Sequence, residues 1–101
     1  MSAVNIDLKN FHQEVMNSDK PVLLDFYAPW CGPCQLVSPV LEEIAAENPH
    51  IKVGKINVDT EPTLAKRFRT YSIPTLVVMK NGRITQQVVG ARSKEQILAL
   101  M

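Results

Sequence analysis

Apolar and polar positions along the chain follow two periods, one typical of strands and one typical of helices. Residues Val22–Tyr27 are apolar on both alternating faces except at Asp25, which predicts a strand covered on both sides at the centre of a sheet. Residues 31–48 carry apolar side chains at every third or fourth position, and this spacing predicts a long amphipathic helix. Pro39 lies inside this helix, where it removes one backbone donor and is expected to cause a kink.

The other segments complete an alternation of strands and helices. Asn81 and Gly82 predict a two-residue hairpin, and Ser93 begins a capping-box pattern that opens a last short helix. Thr60 is the expected N-cap of a helix with Pro62 in its first turn. The remaining predicted strands are 4–6, 51–58, 75–80 and 84–89, and the remaining helices are 8–17 and 60–68. This order predicts one α/β domain over residues 1–101, a mixed sheet with helices on both faces.

Length and charge exclude several classes of protein. The chain has 101 residues, enough for one domain with its own core. Eleven Lys and Arg against ten Asp and Glu leave a net charge of +1, which argues against nucleic-acid binding because phosphate recognition needs a clustered basic excess. The apolar runs fall far short of the roughly 20 residues that span a bilayer, and nothing at the start reads as a signal peptide. We therefore expect a cytoplasmic protein, monomeric by default and without a membrane partner.

Two cysteines, Cys31 and Cys34, are the most informative residues of the chain. As a structural staple, a disulfide over this short loop would contribute only roughly 2 kcal/mol, against about 3 kcal/mol for a fifteen-residue loop. A metal site needs about four ligands, and the remaining candidates, His12 and His50, are far apart in sequence. A staple and a metal site stay as alternatives, but two cysteines so close together predict thiol reactivity.

The position of the cysteines in the predicted helix gives each of them a role. Cys31 stands where the helix begins, and there the helix dipole and unpaired N–H groups stabilise a thiolate. Cys34 follows three residues later on the same helix face, at a Cβ separation of about 5–6 Å in an ideal helix. A disulfide requires about 3.8 Å, so a small adjustment opens or closes the bond. We predict that Cys31 is the nucleophile and Cys34 the resolving thiol.

Residues 26–34 read Phe-Tyr-Ala-Pro-Trp-Cys-Gly-Pro-Cys and resemble the active site of the thioredoxin family, whose Trp-Cys-Gly-Pro-Cys signature they contain whole. The similarity runs over nearly the full chain. Further matching positions are Asp25, Pro39, Lys55, Ile73-Pro74-Thr75, Asn81-Gly82 and Gly90. Tyr27 departs from the pattern, since many members have a second tryptophan there. The resemblance implies the thioredoxin fold, a central mixed sheet of about five strands flanked by about four helices.

The resemblance also implies an activity, that of a thiol–disulfide oxidoreductase that reduces disulfide bonds in other proteins through a mixed disulfide. Trp30, Gly32 and Pro33 would form the active-site loop around the cysteines. No dinucleotide-binding or phosphate-binding glycine motif is present, so the electrons must come from a partner. The family implies an NADPH-dependent thioredoxin reductase as that partner. We expect no bound metal and no cofactor other than the redox-active disulfide.

Asp25 and Lys55 are the candidate supporting residues behind the cysteines. Asp25 is either an edge residue open to water or a buried carboxyl whose pKa is raised by desolvation. A buried carboxyl there can take the proton from Cys34 as that thiol attacks the mixed disulfide. Lys55 is either a solvated strand residue or, as the resemblance suggests, an ammonium near Asp25 that tunes its pKa.

A candidate docking surface surrounds the dipeptide Ile73–Pro74. An X–Pro bond is usually trans, but the resemblance implies a cis bond that faces the cysteines. Backbone groups beside Cys31 would then be free to pair with an extended substrate segment. Trp30 is either a core residue or part of this surface, and Gly90 serves either a strand-end turn or close approach of a partner. The expected substrate-binding residues are Trp30, Ile73, Pro74, Val89, Gly90 and Ala91.

Two other functions remain open on the sequence alone. The fold could serve as a protein-docking module in which the thiol chemistry is incidental. Alternatively, the cysteines of two chains could share a metal ion or an iron–sulfur cluster across a dimer. Neither alternative explains a carboxylate placed six residues before the first cysteine.

Overall fold

Five strands form one mixed sheet in the computed structural model, which describes residues 2–101. The strands are β1 (Val4–Asn5), β2 (Val22–Tyr27), β3 (Lys52–Asn57), β4 (Thr75–Lys80) and β5 (Arg83–Val89). Their order across the sheet is β1-β3-β2-β4-β5, so β2 occupies the centre as predicted. The strands β1, β3 and β2 are mutually parallel, whereas β4 runs antiparallel to β2 and β5 antiparallel to β4.

Helices cover both faces of this sheet, which confirms the predicted fold class. Within residues 2–101 they are a short π-helix (His12–Met16) and the α-helices α1 (Gly32–Glu47), α2 (Pro62–Arg67) and α3 (Lys94–Leu98). The core beneath α1 and α3 contains Leu23, Val37, Leu41, Ile44, Leu76 and Ile97. The core beneath the π-helix and α2 contains Phe11, Val15, Leu24, Phe26, Leu64 and Phe68. None of these helices is long and apolar enough to cross a membrane.

Local signals in the sequence are confirmed where the backbone conformation depends on one or two residues. Asn81 and Gly82 both have positive φ, 53° and 75°, as a tight turn between antiparallel strands requires. The side chain of Ser93 accepts a hydrogen bond from the backbone of Gln96, whose own side chain accepts one from the backbone N–H of Ser93. This reciprocal pair is the predicted capping box of α3.

Two helix predictions are wrong in detail. Thr60 is not an N-cap, because its hydroxyl donates to the carbonyl of Asn57 in the preceding turn, and α2 begins after Glu61 without a side-chain cap. The helix predicted over 8–17 is reduced to His12–Met16. The side chain of Asp7 accepts hydrogen bonds from the backbone N–H groups of Lys9 and Asn10, and the side chain of Asn10 accepts one from the backbone N–H of Asp7, so these residues form a hydrogen-bonded turn before the π-helix.

Three elements meet at one edge of the sheet. The carboxyl end of β2 leads through a short loop to Cys31, which is the N-cap of α1. Because β4 is antiparallel to β2, with Thr75 opposite Phe26, the start of β4 lies at the same edge. The end of β5 joins them there, with Val89 opposite Thr75. The fold thus brings the cysteine pair beside the residues that precede β4 and follow β5.

Candidate active site

Cys31 and Cys34 are joined by a disulfide at the first turn of α1. Their Cα atoms are 5.2 Å apart, and the sulfur of Cys31 accepts a hydrogen bond of 3.2 Å from the backbone N–H of Cys34. The predicted position of Cys31 at the helix N-terminus is confirmed. When the bond is reduced, the same N–H group and the helix dipole favour a thiolate on Cys31.

The two cysteines are almost equally buried, so exposure does not distinguish them. Cys31 is 5% exposed and Cys34 is 3% exposed, so each sulfur lies just below the surface. The exposed residues between them are Gly32 and Pro33. What distinguishes Cys31 is its cap position and a second neighbour, the carbonyl oxygen of Ile73, 3.9 Å from its sulfur.

Asp25 is fully buried on the central strand, so it is not an edge residue open to water. Within residues 2–101, neither of its side-chain oxygens has a hydrogen-bond partner. Burial raises the pKa of Asp25 from 3.8 to about 7, and the positive charge of Lys55 opposes this rise without cancelling it. Asp25 therefore gains and loses a proton near neutral pH.

Strand alternation places Asp25 behind the cysteine pair. Asp25 shares a face of β2 with Leu23, and Leu23 packs in the core formed by α1. Cys34 is one turn earlier in α1 than Val37, which belongs to that same core. The carboxyl group thus lies under the first turns of the helix that carries both thiols.

Lys55 lies directly beside Asp25, because the two residues are partners in the register of β2 and β3. It is half-buried, not a fully solvated strand residue. Its ammonium donates a hydrogen bond of 2.8 Å to the hydroxyl of Ser38 in α1, and it lies 4.6 Å from the centre of the Tyr27 ring. A cavity of about 110 Å³ reaches this group and is lined by Cys34, Ser38, Lys55 and Tyr27, among others.

The residues predicted to bind substrate lie on two sides of Cys31. The Ile73–Pro74 bond is cis, and Gly90, with φ of 99°, donates its N–H to the carbonyl of Pro74 at 2.8 Å. Val89 is 56% exposed next to them, and Ala91 is exposed as well. The expected cluster of residues 73–74 and 89–91 is therefore present at the active-site edge.

Trp30 is 71% exposed, so it is a surface residue and not part of the core. Its indole N–H donates a hydrogen bond of 2.9 Å to a side-chain oxygen of Asp59, which follows β3. In the sheet order β3-β2-β4-β5, Asp59 and Val89 lie on opposite sides of the loop that holds Cys31. Trp30 and Val89 therefore flank the disulfide from opposite sides.

Comparisons with known proteins agree with this geometry. The family model described as Thioredoxin matches residues 2–101. The chain belongs to the thioredoxin family. It is 49% identical to a thioredoxin of Porphyra purpurea, over 96% of this chain and 92% of that one. It is 45% identical to a thioredoxin of Mycobacterium tuberculosis, over 96% of this chain and 84% of that one.

A further relative joins two proteins in one chain. It is the bifunctional thioredoxin reductase/thioredoxin of Mycobacterium leprae, 47% identical over 88% of this chain, which covers 20% of that protein. Family membership together with the bonded cysteine pair shows that this thioredoxin-family protein is a thiol–disulfide oxidoreductase acting on proteins. The predicted fold and activity are thus confirmed.

Sequence reasoning missed two residues of this thioredoxin-family site. Ser38 was visible as a polar residue four positions after Cys34, on the helix face that points to the sheet. Asp59 follows β3 and carried no local signal, since its role depends on which strand lies beside β2.

No three His, Cys, Asp or Glu side chains within residues 2–101 come together as a metal site, and both histidines are exposed.

Proposed function

We propose that this protein reduces disulfide bonds in other proteins, with Cys31 as the attacking thiolate. Cys31 attacks one substrate sulfur, the substrate disulfide breaks, and a mixed disulfide forms while one substrate thiolate leaves. Cys34 then gives its proton to Asp25 and attacks the sulfur of Cys31, which releases the second substrate thiolate. Two electrons pass to the substrate, and the protein is left with the Cys31–Cys34 disulfide that the structure contains.

One observation carries this assignment of roles: a helix-capping cysteine lies in front of a buried carboxyl that has no hydrogen-bond partner within residues 2–101. The cap position supplies N–H groups that stabilise a thiolate on Cys31. Cys34 has no such position, so it needs a base to lose its proton, and Asp25 is able to accept one near pH 7. Lys55 acts on this step through its charge on Asp25.

The proposed substrate is an extended segment that crosses the surface beside the disulfide. Ile73 offers a carbonyl next to Cys31, and the exposed side chains on either side are those of Trp30 and Val89. An extended chain pairs with backbone groups, while apolar side chains at the edges bind its own side chains. Pro74, Gly90 and Ala91 complete this surface.

Val89→Asp is expected to weaken substrate docking without harming the fold. Val89 is exposed, so the new carboxylate stays in water in the free protein, but it must lose water when an apolar substrate segment covers it. We expect kcat/KM for reduction of a protein disulfide to fall about 10-fold, equivalent to about 1.4 kcal/mol. Steady-state kinetics with insulin as the substrate measures this change.

Ile84→Asp is the matched control for Val89→Asp. Ile84 is 49% exposed on the same strand, but it lies at the other end of β5, opposite Met79. The Ile84→Asp variant carries the same added charge, but its kcat/KM should stay within about 2-fold of the parent value. Equal losses in the two variants would show that Val89 has no part in docking.

We further propose that an NADPH-dependent thioredoxin reductase supplies the electrons, and that this protein works in the cytoplasm as a monomer without a bound cofactor. The absence of a dinucleotide motif from the sequence supports an external donor. The relative from Mycobacterium leprae supports its kind, because its name joins a thioredoxin reductase to a thioredoxin in one protein.

The reduction potential of the Cys31–Cys34 pair tests the direction of the reaction. The potential is measured by equilibrating the protein with a glutathione or NADPH-coupled redox buffer. We expect a value near −270 mV, the potential of thioredoxin. A donor of electrons to protein disulfides needs such a low potential. A value near −120 mV would identify an oxidant and overturn the proposed direction.

A further inference from the structure

Lys55 has an unusual pair of partners for a lysine that lies beside a buried carboxyl. Its strand register places it next to Asp25, yet no ion pair joins the two side chains in the described part of the chain. Instead its ammonium donates to the hydroxyl of Ser38 and lies over the ring of Tyr27. Both partners attract a cation without carrying a negative charge.

This arrangement matters because a direct ion pair would change what Asp25 can do. An ammonium in contact with a buried carboxylate lowers the carboxyl pKa strongly, and the carboxylate would then no longer accept a proton near neutral pH. A lysine kept out of contact reduces the pKa less. The distance between Lys55 and Asp25 therefore decides whether the carboxyl can serve as a proton acceptor.

We propose that Ser38 is a positioning residue: together with the ring of Tyr27, its hydroxyl holds the Lys55 ammonium out of contact with Asp25. This inference rests on the proposed role of Asp25 for its functional meaning, but not for its geometry. Ser38 lies one turn after Cys34 in α1, so the same helix carries the thiol that loses the proton and the hydroxyl that restrains the lysine. A cavity of about 110 Å³ borders Cys34, Ser38 and Lys55, so the lysine side chain is not packed on all sides.

Within residues 2–101, β2, β3, β4 and α1 place groups around Asp25. β3 contributes Lys55 and β4 contributes the apolar Leu76, which are the strand partners of Asp25. Tyr27 lies on the same face of β2 as Asp25. From α1, which packs over this face of the sheet, the nearby polar groups are those of Cys34 and of Ser38, whose hydroxyl bonds to Lys55. In the disulfide form Cys34 does not titrate, so Lys55 is the charged group that acts on the carboxyl.

The test is a titration of the Asp25 carboxyl by carbon-13 NMR in the oxidised protein. In Ser38→Ala the ammonium loses its hydroxyl partner and moves toward Asp25, and we expect the pKa of Asp25 to fall by about 1. Ser38→Thr keeps a hydroxyl and should restore the pKa of the parent. In a Lys55→Met background the Ser38→Ala exchange should leave the pKa unchanged, because no ammonium remains to move.

Three results would overturn the inference: an unchanged pKa in Ser38→Ala, a raised pKa, or an equal fall when Lys55 is already methionine. A second readout separates this inference from the role of Asp25. The pH profile of mixed-disulfide resolution should shift down in Ser38→Ala together with the titration. A shifted titration with an unshifted pH profile would support the position of Lys55 and contradict Asp25 as the proton acceptor.

Discussion

Replacing Cys34 by serine is expected to leave this protein covalently attached to its substrate through Cys31. The first attack needs only the thiolate of Cys31, which the start of α1 stabilises, so the mixed disulfide still forms. The second attack needs a thiol at position 34, and a serine hydroxyl cannot replace it. Cys31→Ser should instead form no adduct and lose turnover by about 10⁴-fold or more, the scale seen when a nucleophile is removed from a catalytic unit.

Non-reducing electrophoresis and mass spectrometry of each variant mixed with a protein disulfide measure these outcomes. The adduct of Cys34→Ser must disappear on reduction and must map to Cys31. An adduct formed equally by Cys31→Ser would exchange the proposed roles of the two thiols. If the double variant, with serine at both positions, keeps its biological activity, the docking-module alternative is correct and the redox chemistry is incidental.

The parts of this molecule that the sequence predicts well are those that depend on neighbouring residues. The run Val22–Tyr27 is apolar on both faces except at Asp25, which predicts a strand at the centre of a sheet, and β2 lies there. The hairpin at Asn81–Gly82 needs two residues with positive φ, which these residues adopt readily. The pairing of Cys31 with Cys34 follows from one turn of helix.

The parts that the sequence predicts poorly depend on which strands lie side by side. The hydrogen bond from Lys55 to Ser38 requires β3 to lie next to β2 in one register and α1 to cross above them. The bond from Trp30 to Asp59 requires the ends of the same two strands to be neighbours. No local pattern encodes these distances, although the family resemblance pointed to the surroundings of Asp25.

Asp25 shows how a chemical requirement and the stability of this fold oppose each other. Below about pH 3.8 the carboxyl is protonated in both the folded and the unfolded chain, and its ionisation has no effect on stability. Between about pH 3.8 and 7 the unfolded chain loses this proton while the folded chain keeps it, so stability falls as the pH rises. Above about pH 7 both states are ionised, and the full effect is about 4 kcal/mol.

The stability of Asp25→Asn relative to the parent should therefore increase between pH 4 and pH 8. We expect this increase to reach about 4 kcal/mol. Denaturant unfolding of both proteins at pH 4 and pH 8 measures this. The comparison of two pH values removes the cost of burying the asparagine amide, since that cost is the same at both. The exposed Asp19 supplies the control, because Asp19→Asn should change stability by less than about 0.5 kcal/mol at either pH.

The same Asp25→Asn variant should release substrate more slowly, and the two effects have one cause. A buried carboxyl that costs stability when ionised is also a carboxyl that accepts a proton near pH 7. Without it, we expect mixed-disulfide resolution to slow by about 100-fold at pH 7, the lower end for a general base. The deficit should shrink toward pH 9, where a thiol with an ordinary pKa of about 8.5 ionises without help. Stopped-flow release of the substrate thiol follows this step, and equal rates for variant and parent from pH 6 to 9 would remove Asp25 from the reaction while leaving its effect on stability intact.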